Sequence, residues 1–282
     1  MRRVVIDADG RPLAATLHLA PGGPPPVLFL HGVMTSVALA PELFADPDAE
    51  SWLAVSLPGH HPDGLAAGRP PPCLDADTLA DHLEAACHRL LGDRRVVVAG
   101  WSLGGFAALA LASRHPARVA GVASLAGFAR GDRVGGIIGW TTWLAAGAGR
   151  PLVTAGLRLA AGSAAVHGLV LRLCARSARG MTAGLAPRMH AEFARHDPGA
   201  IARVLAAVRR LDLGDRPGRI VAPTWIAGGQ DDPVIPLAET RRLAAAIPGA
   251  ALTVYPGGHL FMTEWPTLRA DFAAWRRSLA PA

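Results

Sequence analysis

Residues 95–112 read RVVVAGWSLGGFAALALA. A β-branched apolar run passes without a break into Gly100-Trp101-Ser102-Leu103-Gly104-Gly105, and then into an alanine-rich stretch that reads as a helix to about Ser113. A serine that must project from a sharp strand-to-helix turn needs neighbours two residues away without side chains, and Gly100 and Gly104 supply them. The turn also sets Ser102 at a helix N-terminus, where free N–H groups favour developing negative charge. A glycine-rich turn that merely packs strand on helix would have no need of the serine.

Outward from this stretch, strand and helix patterns alternate. Residues 4–6 and 13–18 are short β-rich runs separated by Asp9-Gly10, a hairpin signal. Residues 27–30 form a continuous apolar run, as expected of a strand buried on both faces, and residues 52–57 another that ends at Pro58-Gly59. Residues 77–91 read as a helix, with Leu79, Leu83, Ala86 and Leu90 on one stripe and Gly92 after its end. Strands are expected at 119–125, 224–227 and 251–255, and helices at 237–246 and 268–279. The alternation predicts an α/β fold with a mostly parallel sheet and helices on both faces. Residues 129–215 carry no β pattern and read as a helical insertion, leaving 1–128 and 216–282 as the core.

The chain has 282 residues and a formal charge of +6. It contains no lysine and no asparagine, and glutamine occurs once, at Gln230. All 28 basic residues are therefore arginine, a pattern that genome composition alone can produce. Their placement is uneven. Residues 130–216 hold 13 Arg against 5 acidic residues, and the remainder 15 against 17. A basic insertion fits an anionic carrier protein, a CoA-linked acyl chain or an anionic lipid surface, and equally a set of solvated helix faces. With one Tyr, no RNA-binding motif and no arginine-rich cluster, nucleic acid is not expected.

Cys73, Cys87 and Cys174 have no CxxC spacing and read as free thiols of a reducing compartment. Residues 134–149 are too short and glycine-rich for a membrane span. Asp7 and Asp9 interrupt any signal-peptide h-region, so a cytoplasmic location without a transmembrane segment is expected. No metal-ligand motif or cofactor fingerprint is present in the sequence.

A serine hydroxyl needs a base to become a nucleophile. Of the 11 histidines, His259 follows the last strand, at the edge where open α/β sheets bind ligands. His18, His82, His88 and His115 fall in a strand or helices; His167, His190 and His196 lie in the insertion; His31 suits a bond within its own loop. The base needs an acid to fix its tautomer, and Asp231 and Asp232 follow the strand at 224–227. Adjacent residues point differently, so at most one of them meets His259. Two N–H groups must face the developing oxyanion, and Leu103 and Val33, in the loop His31-Gly32-Val33-Met34, are the candidates.

These pieces together resemble the α/β-hydrolase family. The matching segments are Leu30-His31-Gly32-Val33, Ser56-Leu57-Pro58-Gly59-His60, the elbow at 100–105, residues 229–236 and Gly258-His259. The family pattern G-x-x-D-x-x-x-P sets Gly229 and Pro236 around Asp232, so the resemblance implies Asp232 as the acid. The family's other acid position, after residues 119–125, holds Ala126-Gly127. The elbow is similar to that of pimeloyl-[acyl-carrier-protein] methyl ester esterases, which also carry a four-helix lid. One departure is His61-Pro62-Asp63, where many relatives have Gly-x-Ser.

The implied activity is cleavage of a hydrophobic carboxylic ester by Ser102, His259 and Asp232 through an acyl-enzyme. Two alternatives stand beside it: a thioesterase or acyltransferase/cyclase on a carrier-bound chain, and a non-catalytic hydrolase-fold receptor. A serine nucleophile argues against haloalkane dehalogenase and epoxide hydrolase chemistry. Trp140 and Trp143, with Ile137 and Ile138, are expected to line an apolar acyl pocket, joined by Met34, Trp101, Leu260 and Phe261 near the catalytic loops.

Overall fold

The computed structural model describes residues 2–7, 12–20, 24–39, 48, 50–61, 74–176, 185–261 and 267–279. Eight strands form one sheet: β1 (Arg2–Asp7), β2 (Pro12–His18), β3 (Val27–Leu30), β4 (Trp52–Val55), β5 (Val96–Trp101), β6 (Val119–Leu125), β7 (Thr224–Gly229) and β8 (Ala251–Tyr255). Their spatial order is β1-β2-β4-β3-β5-β6-β7-β8. β1 pairs antiparallel with β2, and β2 antiparallel with β4; every later pairing is parallel. The Asp9-Gly10 turn lies outside the described residues, but Asp7 pairs with Pro12 across it.

The β-branched runs alternate between two cores. Val96 and Val98 of β5 face the helices α1 (Ala76–Leu91) and α2 (Leu103–Arg114), packing with Leu79, Leu83 and Phe106. Val97 and Ala99 face the opposite side, packing with Leu268 and Phe272 of α9 (Thr267–Ser278). A sheet covered on both faces buries every residue of β3, β4 and β5, which is why these strands lack polar residues. All ten residues from Leu103 to Ala112 in α2 are buried. Its alanines let it lie close to the sheet beneath α1. α8 (Leu237–Ala246) connects β7 to β8.

Between β6 and β7, which are neighbours, the chain builds five further helices among the described residues. These are α3 (Gly136–Ala146), α4 (Arg150–Gly162), α5 (Ala164–Ala175), α6 (Leu185–Phe193) and α7 (Pro198–Val208). Side-chain caps start two of them: Ser163 accepts from Val166 N–H, and Asp197 accepts from Ala200 N–H ahead of Pro198. Outgoing and returning chain are tied together where the segment leaves the sheet. Gly131 N–H donates to Leu211 C=O at 2.8 Å and Leu213 N–H to Ala129 C=O at 2.9 Å. Val153, Leu157, Phe193, Ile201 and Leu205 give the segment a core of its own.

Candidate active site

The strand order reverses between β3 and β5: the chain leaves β3 for β4 on one side, then crosses to β5 on the other. Loops leaving the carboxyl ends of such a pair diverge and open a crevice. The 31–36 loop after β3 and the elbow after β5 flank it. The loops after β7 and β8 come from the same sheet edge, two and three strands along from β5.

Ser102 adopts φ 56° and ψ −116°, a region that non-glycine residues rarely enter. The turn is forced by packing. A Cβ on Gly100 would lie 2.1 Å from Gly104 C=O, and one on Gly104 would lie 2.0 Å from Leu30 C=O. Ser102 N–H donates to Leu125 C=O of β6 at 2.8 Å, and Phe106 N–H to Ser102 C=O at 3.1 Å. The backbone is held on both sides while the hydroxyl stays partly exposed.

His259 Nε2 lies 3.1 Å from Ser102 Oγ, and its Nδ1 lies 2.9 Å from Asp232 Oδ2. A carboxylate facing Nδ1 only accepts, so Nδ1 carries the proton and the Nε2 lone pair faces the serine O–H. The other oxygen of Asp232 accepts from Val234 N–H at 2.7 Å and Ile235 N–H at 2.8 Å, which fixes the carboxylate rotamer. His259 is fixed from the helical segment as well. Its N–H donates to Cys174 C=O at the end of α5 at 2.9 Å, and its C=O accepts from Trp101 Nε1–H at 3.2 Å. The Trp101 ring lies over the imidazole at 5.4 Å. Asp231, its side chain exposed, donates its backbone N–H to Gly257 C=O and takes no part in this chain of bonds.

The loop after β3 is organised by His31. Its Nε2 accepts from Leu57 N–H at 3.0 Å, so Nδ1 carries the proton and donates to Gly32 C=O at 2.9 Å. Thr35 N–H and Oγ1 donate to the same carbonyl, at 3.3 and 2.8 Å. Burial lowers the His31 pKa to about 4, so the ring is a neutral strut. His60 packs edge-on against it at 4.7 Å and is lowered by burial and then by His31.

A cavity of about 70 Å³ opens beside the serine, and Ser102, Leu103, Val33 and His259 are on its wall. The rest of the wall is mainly apolar, including Phe128, Ile138, Val170, Leu205 and Val208. Its polar exceptions are Thr35, His167 and Cys174. Burial pushes the Cys174 thiol up to about 12, helped by the Asp232 charge, so it stays an S–H. Burial also takes His167 down to about 4, with His190 contributing.

Of the pocket residues expected from sequence, Met34, Trp101, Leu260 and Ile138 line this cavity. Trp140 and Trp143 do not, and the expectation is corrected. They stand 68% and 55% exposed, pack edge to face at 6.0 Å, and border a separate open hollow with Arg209. α3 has no charged residue and no distinct polar face, so its sequence does not say which side turns inward. Phe261 is fully buried against Tyr255 rather than on the cavity wall. Nothing in the sequence marks Val170, Leu205 and Val208 as cavity wall, because apolar helix positions look alike whether they face a neighbour or a cavity. Cys87 and Cys174 are free thiols, and Cys73 lies outside the described residues. Among the described residues no group of three His, Cys, Asp or Glu is placed to hold a metal ion.

Residues 27–274 match the model of the alpha/beta hydrolase family. The chain belongs to that family. This hydrolase-family chain is also 32% identical over 205 residues to the pimeloyl-[acyl-carrier protein] methyl ester esterase of Chromobacterium violaceum, covering 72% of this chain and 73% of the relative. Among solved structures, an esterase from Exiguobacterium antarcticum superposes with a TM-score of 0.76 at 18% identity, covering 97% and 99% of the two chains. A thermophilic esterase from Thermogutta terrifontis gives 0.74 at 22%, covering 99% of each. At such identities the superpositions speak for the fold alone.

Proposed function

We propose that this protein is a serine hydrolase that cleaves a hydrophobic carboxylic ester through a covalent acyl-enzyme. The observation that carries the reading is the unbroken series Asp232–His259–Ser102, at 2.9 and 3.1 Å, ending on a strained serine at the wall of an apolar cavity. His259 Nε2 takes the Ser102 proton as Oγ attacks the carbonyl carbon. The carbonyl oxygen becomes an oxyanion, stabilised by the N–H groups of Leu103 and Val33. Leu103 opens α2, where the first N–H groups have no helical partner. The imidazolium, steadied by Asp232, returns its proton to the leaving alkoxide. A water deprotonated by His259 then attacks the acyl carbon and frees the acid and Ser102.

In this reading residues 129–215 are a cap over the site. α5 contributes Cys174 C=O to the His259 loop, and α3, α5 and α7 contribute cavity wall. Esterase activity in a relative at 32% identity is consistent with the ester assignment. The second reading, a carrier-bound ester or thioester, draws on the substrate in that relative's name and on the arginine surplus of the cap. Matched panels of free esters, acyl thioesters and acyl carrier protein conjugates separate the two.

Ser102→Ala is expected to lower kcat on a p-nitrophenyl ester by at least about 10⁴-fold, and Asp232→Asn by about 10⁴-fold at neutral pH. Wild-type turnover by a folded Ser102→Ala variant overturns the assignment.

A further inference from the structure

Among the described residues, ten large apolar side chains are exposed, and seven of them lie between residues 137 and 173. On α3 they are Ile137, Trp140 and Trp143. On α4 they are Leu152 and Leu159, seven residues apart and so on one face; on α5 they are Leu169 and Leu173, one turn apart. The three helices pack on one another. Their buried positions, such as Ala145, Val153 and Leu157, turn inward to the segment's own core, so these seven face away from it. Leu152 and Leu159 are 69% and 62% exposed, in a fold that has room to bury such residues.

The charge on the same helices has one sign. From residue 133 to residue 191 the sequence contains seven arginines and no aspartate or glutamate. Arg158, Arg172 and Arg176 are exposed and have no carboxylate partner among the described residues. Solvation alone does not explain this face, since a solvated helix face is polar. A carrier protein would answer the arginines but leave the leucines in water. A planar surface that is apolar beneath and anionic on top answers both.

We infer that the α3–α5 face docks on an anionic lipid bilayer, with Trp140 and Trp143 at the headgroup level, leucines in the acyl boundary and arginines on the phosphates. The face lies on the membrane rather than crossing it. No single described helix is long and apolar enough to span, and α4 and α5, which together reach that apolarity, are bent 110° against each other. Helices that form the cavity wall from inside would thereby meet lipid from outside, so an apolar ester could reach the site without crossing water. The docking itself does not depend on the hydrolytic reading.

The test is co-sedimentation of the full-length Ser102→Ala protein with vesicles of phosphatidylglycerol and phosphatidylcholine, against phosphatidylcholine alone. The protein is expected to pellet with the anionic vesicles and to be released by salt. Trp140→Ala/Trp143→Ala should lower the partition coefficient by at least about tenfold, and Arg158→Gln/Arg172→Gln by about fivefold per arginine. Neither pair lines the cavity, so in the Ser102 background both pairs should leave soluble-ester turnover unchanged. Absence of vesicle binding overturns the inference, as does binding that neither double variant weakens. Sedimentation velocity on the same samples reads the competing occupant: a dimer that the tryptophan variant dissociates, without vesicle binding, assigns the face to a second copy of the chain. Loss of ester turnover bears only on the catalytic reading.

Discussion

The sheet with its flanking helices and the helical segment between β6 and β7 use similar residues in opposite ways. In the first, arginines and acids are nearly equal in number, 15 against 17, and several pair. Arg118 is buried against Glu84 and also donates to Gly92 and Arg94 C=O; Arg114 bridges Asp77 and Asp81; Arg276 meets Glu50. Among its described tryptophans, Trp52, Trp101 and Trp225 are buried and Trp275 is half-buried. In the second, arginines outnumber acids, and Trp140 and Trp143 stand in solvent. A region whose charges balance and whose aromatics are mostly buried is built to hold geometry. A region that leaves both outward is built to meet something.

Truncation of a tryptophan in each region sharpens the contrast. Trp52→Ala removes a ring that is 1% exposed, at the start of β4 and the opposite sheet edge from Ser102, and should cost about 3–5 kcal/mol in urea unfolding. Trp140→Ala should cost no more than about 0.5 kcal/mol, as surface substitutions do. Equal costs would mean that Trp140 packs against protein in solution, and the contrast would fail.

A smaller effect comes from pH. His31 titrates at about 4 in the fold and at 6.5 when free, because burial disfavours its charged form. Between those values the unfolded chain binds the proton and the folded chain does not, so stability is complete above pH 6.5 and falls as pH drops towards 4. The loss attributable to His31 should reach about 2 kcal/mol by about pH 5. The loop it braces carries Val33, so activity and stability should decline together over that window. A His31→Gln variant, compared by urea unfolding across the same range, should show a flatter dependence. An unchanged slope would remove His31 from this role.

The difference between the two regions also decides what could be read from sequence. The apolar runs at 27–30, 96–99 and 119–125 are found as strands because a sheet buried on both faces tolerates little else. Ser102 was legible because Gly100 and Gly104 have no steric alternative: backbone lies about 2 Å from where a Cβ would sit. Asp232 against Asp231 was not legible from spacing alone and followed from the family pattern. The structure distinguishes them by burial and by the Val234 and Ile235 N–H groups that hold one carboxylate and not its neighbour. The brace from His31 to Leu57 joins residues 26 apart, with no local signature. The inner and outer faces of α3 were illegible for a simpler reason. Gly136-Ile-Ile-Gly-Trp-Thr-Thr-Trp-Leu-Ala-Ala146 is apolar on nearly every side, and periodicity has nothing to report when there is no polar face.

The central claim is that Ser102 is the nucleophile of an acyl-transfer site. Its most direct test is intact-mass and peptide-mapping analysis after treatment of the folded protein with a fluorophosphonate. The expected result is one adduct per chain, on Ser102, absent from Ser102→Ala and slowed in His259→Ala. Folded wild-type protein that takes no adduct, or takes it on another residue, would contradict the account.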